Sequence, residues 1–174
     1  NKTPPEVIHM KKIAMLLVTA LLLVGLLAGC APAAATGSDL MAGITPAPAG
    51  NPEPAPAAYT GAMAGFGWNL LRTSASNEGN LLVSPASVHL ALAMTTNGAA
   101  GTTRDQMLAL LAAGGLDMDG LNDAARAALA RWNLADTEDR LTIANSIWFD
   151  QAFTPEPAFL QTNADHYAAA ARQL

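Results

Sequence analysis

Cysteine is almost absent, with Cys30 the only one in 174 residues. A lone thiol excludes an intramolecular disulfide and a Cys-based zinc cage, so any folded part must rest on an apolar core. Charge is scarce as well. Charged residues make up 13% of the chain, nine Lys and Arg against 14 Asp and Glu, for a net charge of −5. The basic residues are scattered rather than gathered on one face, which leaves nothing to neutralise a phosphate backbone and excludes nucleic acid as an expected partner. Catalytic signatures are missing too: there is no Gly-x-Ser-x-Gly elbow, phosphate-cradling loop or HExxH run. His89 and His166 have no Cys or carboxylate at ligand spacing, so they read as ordinary helix residues, and no metal, cofactor or catalytic residue is assigned. Asp117-Met118-Asp119-Gly120 invites a calcium-loop reading. With Gly120 at the sixth position, however, the first and twelfth would be Gly115 and Arg126, where acids are needed. An enzyme is not expected.

What is present begins with a targeting segment. Met10-Lys11-Lys12 leads into an uncharged run from Ile13 to Gly29 that closes on Leu27-Ala28-Gly29-Cys30. A basic start, an apolar middle and small residues at the cut describe a secretory signal over residues 10–30. Leu27, Ala28 and Gly29 resemble a bacterial lipobox, in which Cys30 would supply the thiol that receives a diacylglyceryl group. After cleavage Cys30 would lead the mature chain, held by palmitate-like acyl chains that each contribute about 0.8 kcal/mol per buried CH₂. The expectation is a lipid-anchored envelope protein on the extracytoplasmic face, periplasmic or extracellular, with the membrane as a partner. An uncleaved transmembrane helix is the alternative, since the uncharged stretch runs on to Ser38, but Pro32 follows the small residues at once. Residues 1–9 carry charge, Pro4 and Pro5, and read as upstream sequence that is not translated.

Residues 31–58 are dominated by Ala, Pro and Gly, as in Asn51-Pro52-Glu53-Pro54-Ala55-Pro56. Proline removes donors and Ala buries little area, so no core is expected in this linker. It reads as a semi-rigid tether of about 3 Å per residue, or else as featureless disorder.

From Tyr59 to Leu174 the pattern becomes globular. Met63, Phe66, Leu70 and Leu71 fall at helical spacing. After a turn at residues 77–80, Leu81-Leu82-Val83 is too short for a helix and reads as a buried strand. Ser84-Pro85 then opens a helix to about Thr96, the hydroxyl meeting an orphan amide and Pro having none to lose. Asn97-Gly98 offers a left-handed stop. Thr103 and Gln106 make a capping box for a helix carrying Met107, Leu110 and Leu111, which Gly114-Gly115 ends. Leu121, Ala125, Leu129 and Trp132 line a further helix. Residues 140–149 alternate with period two, both faces largely apolar, and predict an interior strand in which Asn145 is a buried polar anchor or else a partner for a neighbouring loop.

The run Asn80-Leu81-Leu82-Val83-Ser84-Pro85-Ala86-Ser87-Val88, followed by Ala91-Leu92-Ala93-Met94, Asn97-Gly98-Ala99, Gly101-Thr102-Thr103 and Gln106-Met107, resembles the N-terminal signature of the serpins, a family of protease inhibitors. Ala144-Asn145-Ser146-Ile147-Trp148-Phe149 is similar to a strand of that family's large sheet, and Phe153 to Tyr167 to the helix that follows; the resemblance covers about Phe66 to Leu174. It implies an α/β fold of three sheets and about nine helices, monomeric when complete. An exposed reactive loop baits a serine or cysteine protease, is cut, and inserts as a strand while the protease stays acylated. In the family the segment matching Ser84 to Ser87 lies under the central sheet where strands part. Ser84, Pro85, Ser87 and Asn145 are therefore the shutter-region candidates. A plain N-cap explains Ser84 equally well.

By the same resemblance the chain stops at the end of a helix, before most of the central sheet and the reactive centre, so it holds N-terminal helices and strands of an incomplete fold. Alone, the 174-residue product is expected not to fold cooperatively. The rival reading of the whole protein is a non-inhibitory serpin-like envelope lipoprotein acting as a binding or structural module.

Overall fold

A computed structural model describes residues 37–49, 53–75, 79–112, 115–133 and 141–174. The signal, the lipobox and Cys30 lie outside them. The described residues form β1 (Ser38–Asp39), α1 (Ala57–Ser74), α2 (Pro85–Thr96), α3 (Gly101–Ala112), α4 (Met118–Trp132), β2 (Asn145–Phe149), α5 (Pro157–Tyr167) and β3 (Ala169–Gln173).

Helix starts follow local chemistry. At α2 the Ser84 side chain accepts a hydrogen bond from the Ser87 amide and Pro85 takes the first helical position, as expected. At α4 Asp117 is the cap, its carboxylate accepting from the Gly120 amide at 2.8 Å, so the acidic cluster serves a helix end. Other boundaries differ from expectation. The α2 terminus is not left-handed: Asn97 stays right-handed at φ −62°, and Gly98 N–H donates to Thr95 and Ala99 N–H to Thr96 in tight final turns. The positive φ falls later, on Gly101. There α3 already begins, so Thr103 sits inside its first turn rather than capping it.

Two strand expectations are corrected. Leu81-Leu82-Val83 is neither strand nor buried, with Leu82 97% exposed. A three-residue run has no stability without a partner strand, and none is present among the described residues. The strand over 140–149 forms only from Asn145, with Asn145, Ile147 and Phe149 turned inward and Ser146 and Trp148 outward. It is covered on one face, not two. The chain end is also not helical. Ala168, at φ 48°, breaks α5, and Ala169–Gln173 forms β3, parallel to β2 with Asn145 opposite Ala169 and Phe149 opposite Gln173. Three consecutive alanines favour helix intrinsically, but here the small side chains of Ala169 and Ala171 are buried in the sheet and pairing prevails. β2, α5 and β3 thus make a βαβ unit.

The strand order is β1-β3-β2, and β1 comes from the stretch expected to be a bare tether. Ser38 pairs with Gln173 and Asp39 with Arg172, antiparallel, and Leu40 N–H donates to the Ala171 carbonyl at 3.0 Å. Met41 to Ile44 turn the chain, after which three side chains seize its backbone. Gln161 donates to the Thr45 carbonyl at 2.9 Å, Asp165 accepts from the Ala47 amide at 2.7 Å, and Arg126 donates to the Pro48 carbonyl. Residues 37–49 therefore run over β3, α5 and α4. Backbone hydrogen bonds help to hold them, alongside the half-buried Leu40, Met41 and Ile44, and such bonds leave no sign in the composition.

Tyr59 and Phe66 of α1, Leu90 and Met94 of α2, Leu111 of α3, Leu121 and Leu129 of α4, and Tyr167 of α5 form one buried core. Each large apolar side chain there contributes about 1.5–3 kcal/mol relative to exposure. Where α1 crosses the start of α2, Gly67 faces the Pro85 ring: a Cβ on it would lie 3.0 Å from Pro85 Cβ. Only glycine permits that approach without a shift.

Candidate functional site

The helix start at Ser84 is built from both sides. Pro85 is wedged against Gly67 of α1, which fixes the first turn of α2 and aims its cap. The Ser84 and Ser87 hydroxyls lie 2.8 Å apart, and the Ser87 amide reaches Ser84 Oγ at 3.4 Å. Both serines are exposed. They form a pair of exchangeable donors and acceptors at the surface, able to bond each other or a strand laid over them.

Asn145 does not join this pair. Its side-chain amide donates to the Tyr167 carbonyl at 2.7 Å, tying the first residue of β2 to the turn between α5 and β3. Asn145 is half-buried rather than buried, and it serves as a partner for a neighbouring turn, fixing the crossover rather than the helix start.

A buried polar hub lies beside that turn, and sequence reasoning missed it. Tyr167 Oη donates to Asn122 Oδ1 at 2.7 Å. Asn122 and Asn97 exchange amide hydrogen bonds at 2.9 and 3.1 Å, and Asn97 Nδ2 reaches Asn163 Oδ1 at 3.4 Å. Asn163 in turn donates to the Phe159 carbonyl at 3.0 Å. Four polar side chains from the end of α2, from α4 and from α5 thereby satisfy one another, with Tyr167, Asn122 and Asn163 buried and Asn97 half-buried. Burial, together with the nearby Tyr59 phenol and against the opposing Asn97 side chain, pushes the Tyr167 hydroxyl well above the usual phenol range, so it stays protonated and can donate to Asn122. The signal available in the sequence was an Asn on the buried stripe of a helix, Asn122 beside Leu121.

His89 forms a second buried feature. It is fully enclosed, with its ring edge-on to Tyr59 and to Phe66 at 5.4 Å from each. Its Nε2–H donates to the Leu111 carbonyl at 3.0 Å, joining α2 to the end of α3. Desolvation lowers its pKa, opposed by that bond. His89 Nδ1 and Tyr59 Oη have no partner among the described residues. The imidazole is a neutral structural post.

The comparisons accord with this geometry. A family model described as serpin, serine protease inhibitor, matches residues 61–174. The chain is 37% identical over 120 residues to Serpin-Z2A of Oryza sativa subsp. japonica, covering 64% of this chain and 28% of that protein. It is 31% identical over 102 residues to Serpin-ZX of Arabidopsis thaliana, covering 58% and 26%. Among solved structures it is similar to the thermophilic serpin tengpin in its native state, with 34% identity, a TM-score of 0.67, and coverage of 79% of this chain and 35% of that one. A loop C-sheet serpin polymer gives the same TM-score at 33% identity, covering 75% and 34%. The chain spans between a quarter and about a third of the length of these relatives.

Proposed function

The chain belongs to the serpin family, and from that premise we propose that the whole protein inhibits serine or cysteine endopeptidases by offering a reactive loop that is cut and inserted as a strand. The family match over residues 61–174 carries this reading. The local geometry supports it in two ways. β3 lies between β1 and β2, so β2 keeps an outer edge with unpaired backbone groups among the described residues. Insertion of a strand needs a sheet that can grow. The Ser84–Ser87 pair lies open and hydrogen-bonds internally, so strands sliding over it can exchange partners at little cost. Ser84, Pro85 and Ser87 are then the shutter residues, and Asn145 holds the crossover between α5 and β3. Serpins are protease inhibitors rather than enzymes as a class. The reading is tested by incubating the full-length protein with serine and cysteine proteases and looking for an adduct that survives SDS. A binding or structural module would give cleavage or nothing.

The proposal extends to location. Leu27-Ala28-Gly29-Cys30 would anchor the protein by lipid on the extracytoplasmic face of the envelope. Only six residues separate Cys30 from Gly37, where packing onto the domain begins. Cys30→Ser is expected to abolish incorporation of labelled palmitate and to move the protein from the membrane to the soluble fraction. An unlabelled wild-type protein that stays in the membrane would instead favour an uncleaved spanning helix.

A further inference from the structure

Asn97-Gly98 is the only Asn-Gly step in the sequence, and the fold holds each residue for a separate reason. A Cβ on Gly98 would lie 2.9 Å from Phe159 Cε2, so the end of α2 seats on that ring as glycine and as nothing larger unless the ring moves. Asn97 is held by the hub. Its Oδ1 accepts from Asn122 at 2.9 Å, and its Nδ2 faces three acceptors: Asn122 Oδ1 at 3.1 Å, Asn163 Oδ1 at 3.4 Å and the Ala93 carbonyl at 3.4 Å. Packing and polar satisfaction thus join two residues whose junction is chemically labile. Gly98 has no side chain to hinder its own backbone nitrogen, which can attack the Asn97 side-chain carbonyl.

In the folded chain conformation holds off that attack, not exclusion of water, since Gly98 is exposed. Asn97 keeps helical angles, φ −62° and ψ −24°, and the Gly98 N–H is engaged with the Thr95 carbonyl at 3.0 Å. The nitrogen is neither placed over Cγ nor free to shed its proton, so the reacting atoms are kept out of line.

We propose that Asn97-Gly98 is a self-modifying site, silent while the end of α2 is folded, that deamidates once this turn opens and then keeps the hub from closing again. The Gly98 nitrogen gives its proton to water or hydroxide and bonds to Asn97 Cγ. The Cγ–Nδ2 bond breaks, and Nδ2 takes up a proton and leaves as ammonia. Water then opens the resulting cyclic imide, at Cγ to give Asp or at the main-chain carbonyl to give isoaspartate. The net change exchanges an amide and water for an acid and ammonia, with no oxidant or reductant. Either product brings a carboxylate to a hub whose acceptors met an amide N–H. Asn122 cannot turn its own amide to meet the new charge without losing the Tyr167 hydroxyl, which bonds its Oδ1 at 2.7 Å. Asn163 is likewise fixed, its Nδ2 donating to the Phe159 carbonyl. A charge set among acceptors and left without a donor is costly, and isoaspartate also lengthens the main chain beside Phe159. A chain that has once opened at the end of α2 is thereby marked for good.

The test follows the Asn97 peptide by mass spectrometry in the full-length protein, held at mildly alkaline pH in water and across a urea series. A synthetic peptide of residues 91–103 gives the unrestrained rate. In water the protein should lose the amide about ten-fold more slowly than the peptide, or slower still, and the rate should climb to that of the peptide as urea opens the fold. Asn97→Asp, one of the two products, should unfold at lower urea than the wild type or fail to fold. Asn69→Asp, on the exposed side of α1, is the control and should unfold with the wild type. Equal rates in the folded protein and the peptide would overturn the shielding, and a rate indifferent to urea would overturn its conformational cause. An Asn97→Asp protein that unfolds together with the Asn69→Asp control would overturn the block on the hub.

Discussion

Replacing Asn122 by Ala removes the centre of the buried hub. Asn122 is 4% exposed and makes three hydrogen bonds, accepting from Tyr167 Oη and Asn97 Nδ2 and donating to Asn97 Oδ1. The substitution strands the buried Tyr167 hydroxyl and leaves the side-chain oxygen of half-buried Asn97 without its donor. At about 1–3 kcal/mol for each orphaned group, a loss of about 3 kcal/mol is expected. Tyr167→Phe is milder. It deletes one neutral bond while Asn122 Oδ1 keeps its Asn97 donor at 3.1 Å, for about 1 kcal/mol. Combining the two reverses the sign of the second change. With Asn122 already gone, the Tyr167 hydroxyl is a liability, and its removal should restore about 1 kcal/mol, a coupling of about 2 kcal/mol. Urea unfolding of the full-length protein, followed by tryptophan fluorescence, measures all four corners of the cycle. Additivity within about 0.5 kcal/mol would refute the claim that these side chains form one network.

His89 gives a pH signature. Its folded pKa is lowered by burial, while the unfolded chain titrates near 6.5, so between the two the unfolded state binds the extra proton. Stability should be level above about pH 7.5 and fall as the pH drops through 6.5, by up to ~1.4 kcal/mol per pH unit. His89→Gln should flatten that limb of the curve; an unchanged slope would place the titrating group elsewhere. Two glycines of α1 should respond oppositely to Ala. Gly61, in open space, should gain about 0.5–1 kcal/mol from helix propensity. Gly67, whose Cβ would press on Pro85 at 3.0 Å, should fall about 1–3 kcal/mol below Gly61→Ala, the usual cost of overpacking. Paired thermal melts compare them, and equal effects would mean that the α1–α2 crossing yields freely.

Much of the helical part was legible in the sequence because its determinants are local. Ser84-Pro85 needs only its own side chains to start α2, and Leu121, Ala125 and Leu129 reveal the buried stripe of α4 by spacing alone. The sheet was harder to read. Ala169-Ala170-Ala171 reads as helix until β2 is present to pair with it, and Leu81-Leu82-Val83 reads as strand although no partner is described for it. The hub was hidden because its members share no local signal: Asn97 reads as a helix stop, and Asn122 and Asn163 stand singly on different helices. Their shared function exists only once three helix segments converge. The packing of residues 37–49 was least legible, because Gln161, Asp165 and Arg126 bind their backbone, which leaves no mark in the composition. Of the shutter candidates, Ser84, Pro85 and Ser87 come together as a cluster, whereas Asn145 bonds to Tyr167.

Inhibition by loop insertion is tested most directly by the fate of a protease mixed with the full-length protein. On SDS gels a band at the summed mass of protease and cleaved inhibitor should form, with loss of protease activity in proportion to the band. Its formation should require the protease's nucleophile, since the bond is an acyl link to that residue. Clean cleavage of the protein with the protease left active, and no such band with any serine or cysteine protease tried, would contradict inhibition by loop insertion.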